Sequence, residues 1–164
     1  MPPSPTEHLV FRRWRDEDLP LAKSLFGDPR VTALVGGPFD DDQVRARLAF
    51  EIGNDAVHGY QYWPMFAGDD FVGCCGLKPY DDVVELGFYL MTEQQGRGYA
   101  VEAARAAIAH AFDAVGAPAI YACHHPQNIA SRRTIEKLGF TYSHDALYPP
   151  TGLQHPNHVL RRHA

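Results

Sequence analysis

Leu90-Met91-Thr92-Glu93-Gln94-Gln95-Gly96-Arg97-Gly98-Tyr99-Ala100 is the stretch on which the reading of this chain turns. Before it, Val83 to Met91 alternates in the way of a strand. Glu85, Gly87 and Tyr89 fall on one face, and Val84, Leu86, Phe88 and Leu90 on the other. After it, Tyr99 to Val115 sets Ala100, Ala104, Ala107, Ile108, Ala111, Phe112 and Val115 on one helical face, whose small residues suit close approach to a sheet. A strand, a Gly-containing loop and a helix start make an anion site, because unpaired backbone N–H groups and the positive end of the helix dipole converge there. Gly96 and Gly98 keep a Cβ out of the path of a phosphate, and Arg97 adds positive charge at the mouth. A Gly-x-Gly at a helix start also serves as a plain cap. The third glycine of a dinucleotide fingerprint and the Gly-Lys-Ser/Thr of a P-loop are both missing, which leaves an anion loop of another type.

Working outward, His8 to Arg13 reads as a strand and Leu19 to Phe26 as a helix ended by Gly27. Asp40-Asp41-Asp42 opens a second helix with Val44, Leu48 and Ile52 on its apolar face. Gln61 to Ala67, Phe71 to Leu77 and Val83 to Met91 form an antiparallel meander, with turns at Gly68-Asp69-Asp70 and Pro79 to Asp82. Ala117 to Cys123 is a strand and Ala130 to Leu138 a helix closed by Gly139. A last hairpin, broken at Tyr148 to Gly152, runs from Phe140 to Arg162. No repeat or linker interrupts this order, so residues 1–164 are read as one α+β domain with a mixed sheet.

The composition excludes several classes. A net charge of -5 offers no basic face for nucleic acid. Cys74, Cys75 and Cys123 are odd in number and show no C-x-x-C spacing, which argues against a disulfide framework or a zinc knuckle. The start, Met1-Pro2-Pro3-Ser4-Pro5, lacks the basic and apolar regions of a signal peptide, and no apolar run is long enough to cross a bilayer. A soluble, cytoplasmic protein is expected.

Gln95-Gly96-Arg97-Gly98-Tyr99-Ala100 resembles the Q/R-x-x-G-x-G/A motif with which the GNAT superfamily of N-acetyltransferases holds the pyrophosphate of acetyl-CoA. Thr6 to Arg12, Asp28 to Val31, Gly36 to Pro38, Glu85 to Leu90, and Asn128 to Ser131 through Glu136 to Phe140 are similar to successive landmarks of the RimJ/RimL branch. That branch comprises ribosomal-protein N-terminal acetyltransferases. The resemblance implies a mostly antiparallel sheet splayed at the cofactor site, with helices on both faces.

It also implies that backbone groups at Leu90 and Thr92 pair with the pantetheine arm, and that Asn128 bonds the same arm. N-capping is the other reading of Asn128 and of Ser131, both residue types that favour it; at Asn128 the motif favours the cofactor role. The partners implied are acetyl-CoA as donor and an amine acceptor, either a protein N-terminus or a small molecule. A homodimer is admitted, and no metal, nucleic acid or membrane is called for.

Acetyl transfer to an amine needs a base, donors for the oxyanion and an acid for the leaving thiolate. Glu85 is the base candidate: inside so apolar a strand its carboxylate is expected to have a raised pKa or to act through water. The bland alternative is a solvent-exposed acid. The oxyanion donor is expected near the amides of Leu90 and Met91. Many members of the family carry an acidic tyrosine four residues after the serine, and here that position is Ile135. Ser131 or a water is left to supply that proton. The missing tyrosine also motivates an alternative, a non-catalytic acyl-CoA-binding or sensing domain. Tyr89, on the face of Glu85, and Tyr148, in the final loop, are candidate acceptor contacts, within a cleft formed by Gly36 to Asp42 and Tyr148 to His155.

Cys123-His124-His125 and His155-Pro156-Asn157-His158 invite a thiol nucleophile or a metal site. Neither has the spacing or signature that such chemistry requires, and a zinc-dependent hydrolase is set aside with them.

Overall fold

The computed structural model describes residues 1–163. Seven strands, β1 (Val10–Phe11), β2 (Tyr62–Ala67), β3 (Asp70–Tyr80), β4 (Val83–Leu90), β5 (Ala119–Cys123), β6 (Thr141–Tyr148) and β7 (Leu153–Arg161), form one sheet in the order β1-β2-β3-β4-β5-β7-β6. Every neighbouring pair is antiparallel except β4 and β5. That parallel pair is in register only at Val84 with Ile120 and Glu85 with Tyr121. Beyond Glu85 the two strands part, and one edge of β4 is left open.

Five helices flank the sheet: α1 (Leu19–Phe26), α2 (Pro29–Thr32), α3 (Asp41–His58), α4 (Tyr99–His110) and α5 (Ile129–Lys137). The period-two alternation of the strands divides the core into two layers. On one face Trp63, Cys75, Leu77, Val84, Leu86 and Leu90 pack on Ala103, Ala104 and Ala107 of α4. On the other, Tyr62, Cys74 and Tyr89 meet Ala22, Leu25 and Phe26 of α1 and Val44 and Leu48 of α3. Helix α3 starts where the acidic run predicts. Asp40 Oδ1 accepts the N–H of Gln43, and the Gln43 side chain accepts the N–H of Asp40, a reciprocal capping box.

Several boundaries differ from the sequence reading, each for a local reason. The first strand pairs over two residues only. Helix α2 was not foreseen; Asp28 caps it by accepting the Arg30 N–H, with Pro29 in its first turn. The long helix passes from α4 into a π-turn over Ala111–Val115, ended by Gly116 at φ 75°. The extra residue in that turn rotates the face. Val115, expected in the core, is 36% exposed beyond this turn. Before the turn, Ala103, outside the expected stripe, is fully buried beside Ala104 and Ala107, because the face of α4 against the sheet is wider than the stripe. The final hairpin starts at Thr141 rather than Phe140, and its second strand extends back to Leu153.

Candidate active site

The open edge of β4 is the first component. Met91 donates its N–H to the Val72 carbonyl at 2.9 Å, so odd-numbered residues of this strand direct their backbone groups to β3. Leu90 therefore directs its own toward the gap. Its carbonyl there accepts the Gln95 side-chain amide at 3.4 Å. Of the two amides expected to face an oxyanion, that of Met91 is already taken and that of Leu90 is free for the gap.

The loop from Gln95 to Ala100 closes one end of this gap. Gly96 and Gly98 have φ of 77° and 81°, which is why glycine stands at both. Nothing lies within 4 Å of where a Cβ would project at either position, so the space over the loop is open. Gly98 is the N-cap of α4 and brings no side chain to the cap. The first-turn amides of Tyr99, Ala100 and Val101 thus lack the acceptor that a capping side chain would give. Glu102, the acid of that turn, is engaged by Thr6, by the His8 N–H at 2.8 Å and by the His8 ring at 2.9 Å. An anionic group fits the exposed amides, because their partial positive charge has no fixed counter-group.

A cavity of about 530 Å³ runs from this loop along β4 to the C-terminal hairpin. Asn128 lines it and caps α5, its Oδ1 accepting the Ser131 N–H at 3.1 Å. Ser131 and Ile135 line the same wall. Ile135 is 2% exposed, so the place of the usual tyrosine is filled by an aliphatic chain that belongs to the core.

Glu85, on β4, lines the same cavity and is 7% exposed. It is neither an isolated carboxylate in an apolar strand nor a solvent-exposed acid. Lys78, its direct partner on β3, puts Nζ 3.2 Å from Oε1, and the Cys123 thiol donates to the same oxygen at 3.8 Å. Burial works against the Lys78 ammonium, yet the adjacent carboxylate outweighs it and raises the lysine above its ordinary value. Burial first, and then Glu85, push the Cys123 thiol up to about 12, which removes thiolate character at neutral pH.

The remaining wall is aromatic. The Tyr62 hydroxyl lies over Gly87, where any Cβ would collide with it. Tyr89 packs 6.2 Å from Tyr62, and Tyr148 stacks on His155 at 4.4 Å. Burial raises the Tyr148 hydroxyl above the ordinary tyrosine range, with Tyr89, Cys123 and Glu85 adding to it. Gly36 abuts Pro150, so the two segments expected to build the acceptor cleft touch each other.

Of the residues singled out from the sequence, Glu85, Tyr89, Leu90, Gln95, Gly96, Gly98, Tyr99, Ala100, Asn128, Ser131 and Tyr148 line this cavity. Met91, Thr92 and Arg97 do not. Met91 faces the second core layer, Thr92 opens a short 3-10 turn, and Arg97 is exposed on the loop. Lys78 and Tyr62 were missed, since only cross-strand register reveals them. His124, His125, His155 and His158 gather in pairs with ring centroids 5.3–5.4 Å apart. Among the described residues no group of three His, Cys, Asp or Glu side chains is placed so that it could hold a metal ion, and no helix is long and apolar enough to cross a membrane.

The acetyltransferase (GNAT) domain model matches residues 8–141, and the chain belongs to this family of acetyl-CoA-dependent N-acetyltransferases. Among its relatives is the uncharacterized protein YkkB of Bacillus subtilis, 33% identical over 147 residues, with 84% of each chain covered. Among solved structures, an acetyltransferase from Agrobacterium tumefaciens superposes with a TM-score of 0.85 at 26% identity, covering 99% of this chain and 95% of that one. RimL, a ribosomal L7/L12 α-N-protein acetyltransferase in complex with coenzyme A, shares the fold with a TM-score of 0.79. Its identity is 14%, with 95% of each chain covered.

Proposed function

We propose that this chain transfers acetyl from acetyl-CoA to a primary amine by direct attack, with Glu85 as general base, in the manner of the RimJ/RimL branch. One observation carries the reading. The uncapped start of α4, the open edge of β4 and the Glu85 carboxylate all face one cavity. Bound acetyl-CoA supplies an activated thioester. The first-turn amides of α4 and the loop from Gln95 to Ala100, with Arg97 at its mouth, hold its pyrophosphate. Leu90, together with Thr92 after the strand, receives the pantetheine arm along the open edge, and the Asn128 side-chain amide donates to the same arm.

On the acceptor side, Oε1 of Glu85 is occupied by Lys78 and Cys123, whereas Oε2 has no protein partner among the described residues. Oε2 is the oxygen that takes the proton of the attacking amine, directly or through a water. The Leu90 N–H donates to the carbonyl oxygen as it gains charge. Ser131, or a water beside it, returns a proton to the thiolate. Tyr89 and Tyr148 flank the amine. The acceptor is a protein N-terminus or a small amine, and the whole chain acts in the cytoplasm as one domain, alone or as a homodimer.

The test is release of coenzyme A from acetyl-CoA in the presence of N-terminal peptides, polyamines, amino acids and aminoglycosides. Amine-dependent release, lost in Glu85→Gln, is expected. Tight acetyl-CoA binding with no turnover on any amine would point to a sensing domain instead.

A further inference from the structure

Glu85 and Lys78 occupy directly opposite positions of the antiparallel pair β3–β4, and both side chains reach the cavity wall. A pair at this spacing has its Cβ atoms on the same face of the sheet, so the contact is fixed by strand register and not by a chance rotamer. The ammonium keeps some contact with water, with 30% of its side chain exposed, while the carboxylate has 9%. Lys78 is thus the wetter end of a pair whose other end points inward.

Titratable groups surround Glu85 on the elements packed against it. On β3 stand Lys78 and Tyr80, on β2 Tyr62, on β4 itself Tyr89, on β5 Tyr121 and Cys123, and on β6 Tyr148. Burial raises the hydroxyls of Tyr62, Tyr80 and Tyr148 and the Cys123 thiol, so none of these four brings charge to the site at physiological pH. From α3 come Arg47 and Glu51, but Arg47 is committed to Glu51 at 2.8 Å. Lys78 is therefore the positive charge within salt-bridge distance of the carboxylate among the described residues.

We propose that Lys78 is a positioning residue for acetyl transfer: it binds Oε1 of Glu85 and supplies the counter-charge beside it, so that Oε2 is the oxygen presented to the amine. This rests on the reading of Glu85 as base. Without the ammonium, a carboxylate enclosed by tyrosines and a thiol would hold its proton to higher pH, because burial disfavours the charged form. The acid limb of turnover would then move to higher pH, and turnover would recover as pH rises. Lys78 does not itself exchange a proton with substrate. Its effect is on the population and direction of the base.

Lys78→Met keeps the unbranched stem of the side chain, one atom shorter, and removes the charge; Lys78→Arg keeps the charge. The experiment records kcat against pH for wild type, both variants and Glu85→Gln, with melting temperatures and acetyl-CoA affinities alongside. It adds a 13C NMR titration of the Glu85 carboxyl in wild type and Lys78→Met. The expected result is an acid limb of kcat moved upward by about 1–3 pH units in Lys78→Met, with the carboxyl titration moving in parallel. Turnover should recover toward wild type at alkaline pH, acetyl-CoA affinity should hold, and Lys78→Arg should stay near wild type. A lysine that only stabilises the sheet would lower the melting temperature and leave the limb and the titration where they are, and that overturns the proposal. Should Glu85→Gln retain full activity, the base itself is misassigned and the proposal falls with it. Should Glu85→Gln be inactive while the limb of Lys78→Met stays put, the role given to Lys78 alone falls. The NMR titration does not depend on turnover, so an inactive Lys78→Met still decides the point: an unmoved carboxyl overturns the proposal.

Discussion

Asn128 Oδ1 accepts the backbone N–H of Ser131 at 3.1 Å, leaving its side-chain NH₂ without a protein partner among the described residues on the wall of the cavity. Capping and cofactor binding are thus not alternatives at this residue, because each uses a different end of the amide.

Asn128→Asp separates the two ends. An aspartate caps about as well as an asparagine but has no donor. Calorimetry should show acetyl-CoA affinity reduced about 10-fold, roughly the value of one hydrogen bond, with the melting temperature within a degree or two of wild type. Full affinity in the variant would leave Asn128 as a cap alone.

Gly98→Asp tests the loop. Aspartate is one of the few side chains that tolerate a left-handed backbone, and the space beyond Gly98 is open, so the fold should survive. A carboxylate at the first turn of α4 occupies the amides that the pyrophosphate would use. Acetyl-CoA binding should fall by at least about 100-fold, two charge-assisted contacts being lost. Unchanged binding by a folded Gly98→Asp protein would remove this loop from the donor site.

Glu85→Gln keeps shape and strand pairing while losing the proton acceptor. A drop in kcat of about 10²- to 10⁴-fold is expected near neutral pH, with acetyl-CoA affinity preserved. The deficit should shrink in alkali, where the amine sheds its proton to solvent unaided. Rates for both proteins across pH, with melting temperatures, check this; near-normal turnover per folded molecule would make Glu85 structural.

Cys123 should behave as a poor nucleophile. With its thiol pushed up to about 12, alkylation should speed up about tenfold per pH unit between pH 7 and 10 without levelling off. Cys74 and Cys75 are fully buried and do not compete. Mass-spectrometric rates that level off below about pH 9 would show an activated thiolate instead.

Arg47→Met should be costly to stability. Glu51 is 1% exposed; its Oε1 accepts Arg47 Nε at 2.8 Å and its Oε2 accepts the Tyr62 N–H at 2.7 Å. The Arg47 guanidinium also lies 4.9 Å from the Phe26 ring centre and 5.1 Å from that of Tyr62. Removing one partner strands a buried charge, at a cost of about 3–5 kcal/mol. Denaturant unfolding should show that loss, and Arg47→Met/Glu51→Gln together should cost less than the sum of the two single changes.

The local parts of this structure were written in the chain. The acidic start of α3 at Asp40 to Asp42, the Ala stripe of α4, Gly139 after α5 and the alternation of Val83 to Leu90 each depend on residues a few positions apart, where backbone and side-chain preferences act directly. The G-x-G loop at the start of α4 is legible for the same reason. The exposure of Val115 was not, since the π-turn before Gly116 shifts the helical phase without any proline or glycine to announce it within the turn.

What tertiary structure alone decided is who meets Glu85. The sequence shows a carboxylate in an apolar strand and names no partner for it. The register of β3 on β4 sets Lys78 against it, and the parallel pairing of β4 with β5 brings Cys123 from 38 residues away to the same oxygen. The open edge at Leu90 has the same origin, because it exists only where β5 leaves β4 after two registered pairs. Periodicity in a sequence states which face a side chain takes, whereas the identity of its neighbours is set by strand order and register, and these are fixed by the packing of the whole sheet against its helices.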